Sequence, residues 1–290
     1  MYFLAFLSAV FLPLNSLGSK LNKTKGNAKI ISISFLVGGA AIVSWLVCLV
    51  SRQTVTPDMY LYAAIFSVLY IATLLIGYLA YAKGPLSITS TFSNASLVVI
   101  VLANTLLFNE ELSLLSVIAI AGTLISLTLL SMPEKSKSAA VPFNFLWLLL
   151  CIGLLLGNSA ISISIKFRQS NANGSNAFAF MALCYSFAFV VSVCTYAFIQ
   201  LRKPTYKSDL QSVKRSAAAV ALQMTGNVGS NLLVTFLSSR IIASVLYPVN
   251  MGGGLVLAVI CGFIFFKEKL TLKNSTGIVL GIISLILLNI

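Results

Sequence analysis

Gln223, Asn227 and Asn231 stand at i, i+4 and i+8 inside a long apolar stretch, so a helix there carries three amides on one face, beside Ser230 and close to Gly226 and Gly229. Amides make and accept hydrogen bonds but break no covalent bonds. The chemistry they offer is recognition of a polar, uncharged or zwitterionic ligand. In an apolar surrounding each unsatisfied amide costs free energy and needs a partner. Interhelical hydrogen bonds, at about 0.6–2 kcal/mol per contact, would satisfy them. Three amides on one face favour a water-filled cavity instead.

A second polar interruption follows in Tyr247-Pro248-Val249-Asn250, ahead of Gly252, Gly253 and Gly254. Proline frees a helical carbonyl and glycine permits close approach, so this stretch predicts a kinked or broken helix that brings Tyr247 and Asn250 toward the same ligand. In the first half, Ser87-Ile88-Thr89-Ser90-Thr91-Phe92-Ser93-Asn94 is equally polar but holds no proline or glycine. Ser90, Ser93 and Asn94 are its candidate ligand groups. Asn15 and Asn158, with Ser159 and Ser162, are further candidates at similar depth. Tyr70, Tyr78, Tyr81 and Tyr185 are read as packing residues, the commoner role of tyrosine in apolar helices.

Several chemistries are excluded by what is missing. The chain has no histidine, and its six acidic residues avoid the middles of the apolar stretches. That removes the groups for zinc hydrolysis, a Ser-His-Asp triad or paired-carboxylate catalysis. Cys48, Cys151, Cys184, Cys194 and Cys261 lack metal-ligand spacing and read as small hydrophobes. No Lys-Ser or Lys-Thr follows the glycine triplet, so it is not a phosphate loop. No enzyme activity, cofactor or metal is expected.

The solvent for these residues is lipid. With 59% hydrophobic and 9% charged residues and a mean hydropathy of +1.00, the chain has too few polar side chains to cover a water-soluble surface. A spanning helix needs about 20 apolar residues. Ten segments qualify: 1–18, 30–51, 59–82, 85–108, 112–131, 143–165, 176–200, 216–237, 241–266 and 271–290. The expected fold is an all-α integral membrane protein, with residues 1–131 and 143–290 as two five-helix repeats joined by a polar linker, 132–142. Five is odd, so the second repeat enters the membrane from the side opposite to the first.

The repeat is visible in the residues. Phe108-Asn109-Glu110-Glu111-Leu112-Ser113 and Phe266-Lys267-Glu268-Lys269-Leu270-Thr271 interrupt apolar runs 158 positions apart, and without a gap 70–130 then overlays 228–288. Glu110 and Glu268 each precede a helix by a few residues and are read as capping and turn-forming groups. The net charge of +13 is concentrated beside apolar segments, so it reads as membrane orientation rather than nucleic-acid binding. Odd-numbered loops hold fifteen of the nineteen Lys and Arg; the even loops hold Arg52, Lys166, Arg168 and Arg240. This bias places the odd loops in the cytoplasm and both chain ends outside.

Each half ends in an apolar-Glu-x-Leu-Ser/Thr motif followed by an apolar helix with Gly122 or with Gly277 and Gly281. These endings resemble the EamA-type repeat of the drug/metabolite transporter superfamily. The stretch from Tyr247 to Gly254 is also similar to the small multidrug resistance branch. The resemblance implies a ten-helix carrier with a central cavity, working by alternating access. Small multidrug resistance proteins carry a glutamate in their first helix where this chain offers only Asn15 and Ser16, so proton-coupled export of lipophilic cations is not carried over. Ten-helix members commonly have both ends in the cytoplasm, opposite to the charge bias here. The expectation is a plasma-membrane carrier of a small polar or zwitterionic, amino-acid-like metabolite. The alternatives are an exporter of amphipathic drugs and a non-transporting scaffold or accessory protein. Its expected partners are a small-molecule substrate and the lipid bilayer, with no nucleic acid; a homodimer is compatible with the sequence.

Overall fold

The computed structural model describes residues 1–24, 26–83, 86–110, 113–131, 145–172, 174–202, 206–266 and 272–287. Within them every element is helical: α1 (Tyr2–Leu21), α2 (Asn27–Val50), α3 (Asp58–Lys83), α4 (Leu86–Phe108), α5 (Leu114–Ser131), α6 (Phe145–Asn171), α7 (Ala177–Arg202), α8 (Tyr206–Arg215), α9 (Ala217–Leu237), α10 (Ala243–Phe266) and α11 (Leu272–Leu287). Five of them, α1, α2, α3, α6 and α7, contain apolar spans of 18 to 27 residues, enough to cross a bilayer. The outward faces agree with a lipid surround. Phe3, Leu49, Val50, Leu106 and Leu114 are among many large apolar side chains left exposed, far more than water tolerates on one surface. The chain is an all-helical, membrane-embedded protein.

Ten apolar segments become eleven helices because the seventh loop folds. Tyr206–Arg215 forms the short amphipathic α8, whose Leu210 and Val213 pack against Ile30, Ile31 and Tyr196. Its Asp209 accepts hydrogen bonds from Tyr196 Oη and Gln200 Nε2, both at 3.0 Å. These ten residues are too polar to have shown as an apolar run.

Helix boundaries recur with fixed spacing. The starts of α2 and α7 lie 150 positions apart, whereas the ends of α4 and α10, and the starts of α5 and α11, lie 158 apart. The added eight residues fall in the connection that carries α8. Packing also pairs elements across the chain: α1 lies on α9 and α10, α6 on α3 and α4, α2 on α7 and α5 on α11. Two of these crossings explain the glycines. A β-carbon on Gly226 would stand 2.6 Å from the carbonyl oxygen of Phe11, and one on Gly18 would stand 2.6 Å from that of Ala219, so α1 and α9 touch backbone to backbone. Where α5 meets α11, Ser126 Oγ donates to the Gly277 carbonyl at 2.6 Å, and Gly122 receives Ser284.

Three expectations change. The predicted break at Pro248 is absent, since α10 runs without interruption from Ala243 through Gly252, Gly253 and Gly254. Only five helical residues precede Pro248, so the single lost bond, to Ser244, falls near a helix end. The glycines serve packing instead: a β-carbon on Gly254 would come within 2.8 Å of Leu12 Cβ. Second, Lys166 and Arg168 are not loop charges; both lie in the last turns of α6, 4% and 1% exposed. Third, Glu110 does not cap α5, whose first turn is held by Ser113 Oγ accepting from Ser116 N–H at 3.1 Å. Glu268, Glu111 and the linker 132–142 lie outside the described residues.

Candidate functional site

The middle of α9 holds the densest polar cluster. Asn227 is the central residue of α9, and Tyr70 stands at the middle of α3. Tyr70 Oη and Tyr185 Oη, the latter from α7, each donate to Asn227 Oδ1 at 2.9 Å. Asn231 Nδ2 donates to Tyr185 Oη at 2.9 Å and to Asn227 Oδ1 at 3.2 Å. Three helices therefore meet on one carbonyl oxygen. The two phenol rings meet edge to face at 6.1 Å, and Phe66 stacks on Tyr70 at 5.3 Å, which fixes the rings as well as their hydroxyls.

The cluster is not self-contained. Among the described residues, Asn227 Nδ2, Asn231 Oδ1 and the Gln223 amide have no hydrogen-bond partner, and all three residues are only half-buried. The i, i+4, i+8 face thus presents donors and an acceptor that neighbouring helices leave unused. Tyr70 and Tyr185, read from sequence as packing residues, are the rigid half of this arrangement. Their signal was available: each is a hydroxyl at membrane depth that requires an acceptor.

Asn250 does not converge on this face. Its Nδ2 donates to Ser8 Oγ on α1 and Ser230 Oγ on α9, both at 2.9 Å, in a buried seam between α1, α9 and α10. A matching pin joins α6 to α4, because Asn158 Nδ2 on α6 donates to Ser93 Oγ on α4 at 2.9 Å. Ser8 and Asn158 lie 150 positions apart, the spacing of α2 and α7. One seam carries its amide on α6 and the other on α10. These two asparagines and Ser93 therefore hold helices together and are spoken for. Tyr247 Oη likewise donates to the Ser162 carbonyl at 3.1 Å, tying α10 to α6. Asn15 is half-buried, and its backbone forms the close approach to Gly226. The side chains of Ser90 and Asn94 lie outside the described residues.

Charge gathers at the end of the molecule formed by the even loops, a feature the loop count had hidden. Asn109, at φ 51°, ends α4 in the left-handed conformation that asparagine tolerates, and Glu110 follows it. Glu110 Oε1 lies 2.6 Å from Lys166 Nζ, with the side chains 11% and 6% exposed. Its Oε2 accepts from Ala243 N–H at 2.7 Å and so caps α10, while Lys166 also donates to the Ile241 carbonyl at 3.2 Å. One ion pair binds the α4–α5 turn, α6 and α10. Nearby, Gln53 Oε1 accepts from Phe178 and Ala179 N–H at 2.8 and 3.2 Å, capping α7. Arg168 contacts Asp58 at 3.4 Å beside a cleft of about 370 Å3.

No family model and no curated protein matches the chain. In fold, 28 chains of solved structures match. One, described only as "Crystal structure of protein", aligns over 99% of this chain and 97% of its own with a TM-score of 0.73 at 13% sequence identity. That likeness concerns the fold alone.

Proposed function

We propose that this chain is a secondary carrier of the plasma membrane, built of ten membrane-crossing helices as two inverted five-helix repeats, that moves a small polar or zwitterionic metabolite by alternating access. The repeat reading is supported by the recurring helix boundaries and by the reciprocal packing of α1 on α9 and α10 and of α6 on α3 and α4. The observation that carries the function is the face of α9. Among the described residues, Gln223, Asn227 and Asn231 keep unpartnered amide groups at the middle of the molecule, beside two hydroxyls that hold Asn227 in place. Polar groups without partners at that depth are costly unless they meet water or a ligand. An enzyme has no support in these groups, and drug export has less, because the face is amide-rich rather than aromatic.

A second reading, a non-transporting scaffold, is favoured by the bonds the cluster makes to itself. In that case the amides only join α3, α7 and α9. Proteoliposomes separate the two when uptake of labelled amino acids and melting temperature are measured for Asn227→Leu. A carrier loses transport and affinity, by about tenfold or more for one or two lost hydrogen bonds, in protein that still inserts and folds. A scaffold transports nothing in either form. Uptake unchanged in a folded Asn227→Leu variant would end the proposed site.

A further inference from the structure

The cleft at the even-loop end has chemistry that the midplane cluster lacks. It lies between the start of α3, the end of α6 and the turn that follows it, lined by Asp58, Tyr62, Arg168, Asn171 and Ser175 among others. Arg168 is 1% exposed, yet only two of its guanidinium contacts have described acceptors: Nη1 donates to the Ser175 carbonyl at 2.7 Å and Nη2 to Asp58 Oδ2 at 3.4 Å. Among the described residues its Nε has no partner. A guanidinium carries five N–H donors, and burying one with so few acceptors is costly. The Phe180 ring at 5.2 Å and the negative end of the α6 dipole offset part of this. Asp58 is a poor counter-ion, half-exposed and in single-point contact. An anion with two oxygens would suit the planar fork far better.

Both signs of charge therefore border one cleft, and its volume falls in the range of small-molecule sites. We propose that this cleft binds the ammonium-carboxylate pair of a small amino acid, the carboxylate on Arg168 and the ammonium on Asp58. Tyr62, Phe66 and Tyr70 follow Asp58 at four-residue steps along α3, and Tyr70 reaches Asn227. The stripe is about 18 Å long at 1.5 Å per residue with Phe66 buried along it, and on the carrier reading the cleft is an outer station and the amide face an inner one. This role as a station rests on the carrier reading; binding at the cleft does not.

Binding is measurable on the full chain in phosphatidylglycerol nanodiscs by calorimetry with individual L-amino acids as probes. The tightest binder is then compared with its amine lacking the carboxylate and its acid lacking the ammonium. The expected result is binding of the amino acid, with each analogue at least tenfold weaker. Asp58→Asn keeps a residue suited to the helix start and leaves Arg168 in place; it should weaken the amino acid at least tenfold while leaving the acid analogue within twofold. Arg168→Lys, which keeps the charge but loses the fork, should weaken both. No binding by any probe to folded protein, or Asp58→Asn within twofold of the parent, overturns the proposal. So does loss of amino-acid binding when phosphatidylethanolamine replaces the lipid, which assigns the cleft to a headgroup. Amino-acid binding without uptake removes the carrier reading and leaves this site standing, whereas uptake together with binding that Asp58→Asn does not weaken does the reverse.

Discussion

Replacing Glu110 by Gln tests how the even-loop end is closed. The two side chains that meet there at 2.6 Å are nearly out of solvent, and the same carboxylate caps α10 through Ala243. A carboxylate merely ending a loop near a helix would be worth about 0.3–1 kcal/mol. A buried pair behaves otherwise, since removing one partner strands the other charge at a cost of about 3–5 kcal/mol. Gln still accepts from Ala243 N–H and can accept from Lys166, which puts Glu110→Gln near the lower end, about 3 kcal/mol. With each kcal/mol moving a melting temperature by roughly 2–4 °C, the variant should melt about 6–12 °C lower. Lys166→Met strands Glu110 and should cost a similar amount. The double variant Glu110→Gln/Lys166→Met removes both charges, keeps the cap and should return to within about 1 kcal/mol of the parent, because apolar replacement of a buried pair is often neutral. The assay is thermal unfolding of all four proteins in one detergent. Additivity within about 0.5 kcal/mol, or a Glu110→Gln shift under about 2 °C, would refute the buried-pair argument.

The same double variant should raise labelling, from the even-loop side, of a cysteine placed at Ser162, if the pair holds that end shut; unchanged labelling in folded protein counts against a gate. For orientation, an impermeant thiol reagent outside intact cells should modify Arg52→Cys and not Gln211→Cys, in a background with exposed Cys194 replaced by Ser, and the reverse pattern inverts the topology. Gly226→Val should lower stability by about 1–3 kcal/mol, because its side chain must enter the backbone of Phe11 and Asn15 on α1; a melting temperature within about 1 °C of the parent would contradict the close crossing. Tyr70→Phe removes one of two hydroxyl donors to Asn227 and should cost about 0.5–1.5 kcal/mol by the same melting assay, less than Asn227→Leu, which takes the acceptor from both Tyr70 and Tyr185 and leaves Asn231 only its bond to Tyr185.

Apolar runs made the helices legible, because lipid imposes one length and one periodicity on whatever crosses it. The start of α5 and the end of α10, either side of the Glu110 and Glu268 motifs, fell within two residues of the expected bounds. The amide face of α9 was legible for a similar reason: i, i+4, i+8 spacing needs no knowledge of neighbours. Partners were not legible, since they come from elsewhere in the chain. Asn250 looks from sequence like a fourth ligand group, yet Ser8, 242 positions away, and Ser230 on α9 accept its amide hydrogens. Lys166 looks like a loop charge because it sits four residues from a polar stretch, and only the approach of Glu110 explains how α6 can bury it. A single chain gives the cost of burying a charge but not the identity of what offsets it.

The charge asymmetry reads differently once those partners are known. Lys166 and Arg168 were two of only four basic residues assigned to the even-loop side, and both are buried against acids, leaving Arg52 and Arg240 as that side's exposed cations. The raw count of fifteen to four remains the basis for expecting both chain ends outside. At the 150-position spacing, Lys166 and Arg168 correspond to Ser16 and Gly18 on α1, so the first half repeats the helix without repeating these charges. Among the described residues, an ion-paired closure of this kind is seen at the even-loop end. If the two halves exchange conformations as inverted repeats do, raising salt should favour opening at the even-loop end. Thiol labelling of Ser162→Cys, compared at low and high salt, checks this, and labelling that does not rise with salt would count against an ion-paired closure at that end.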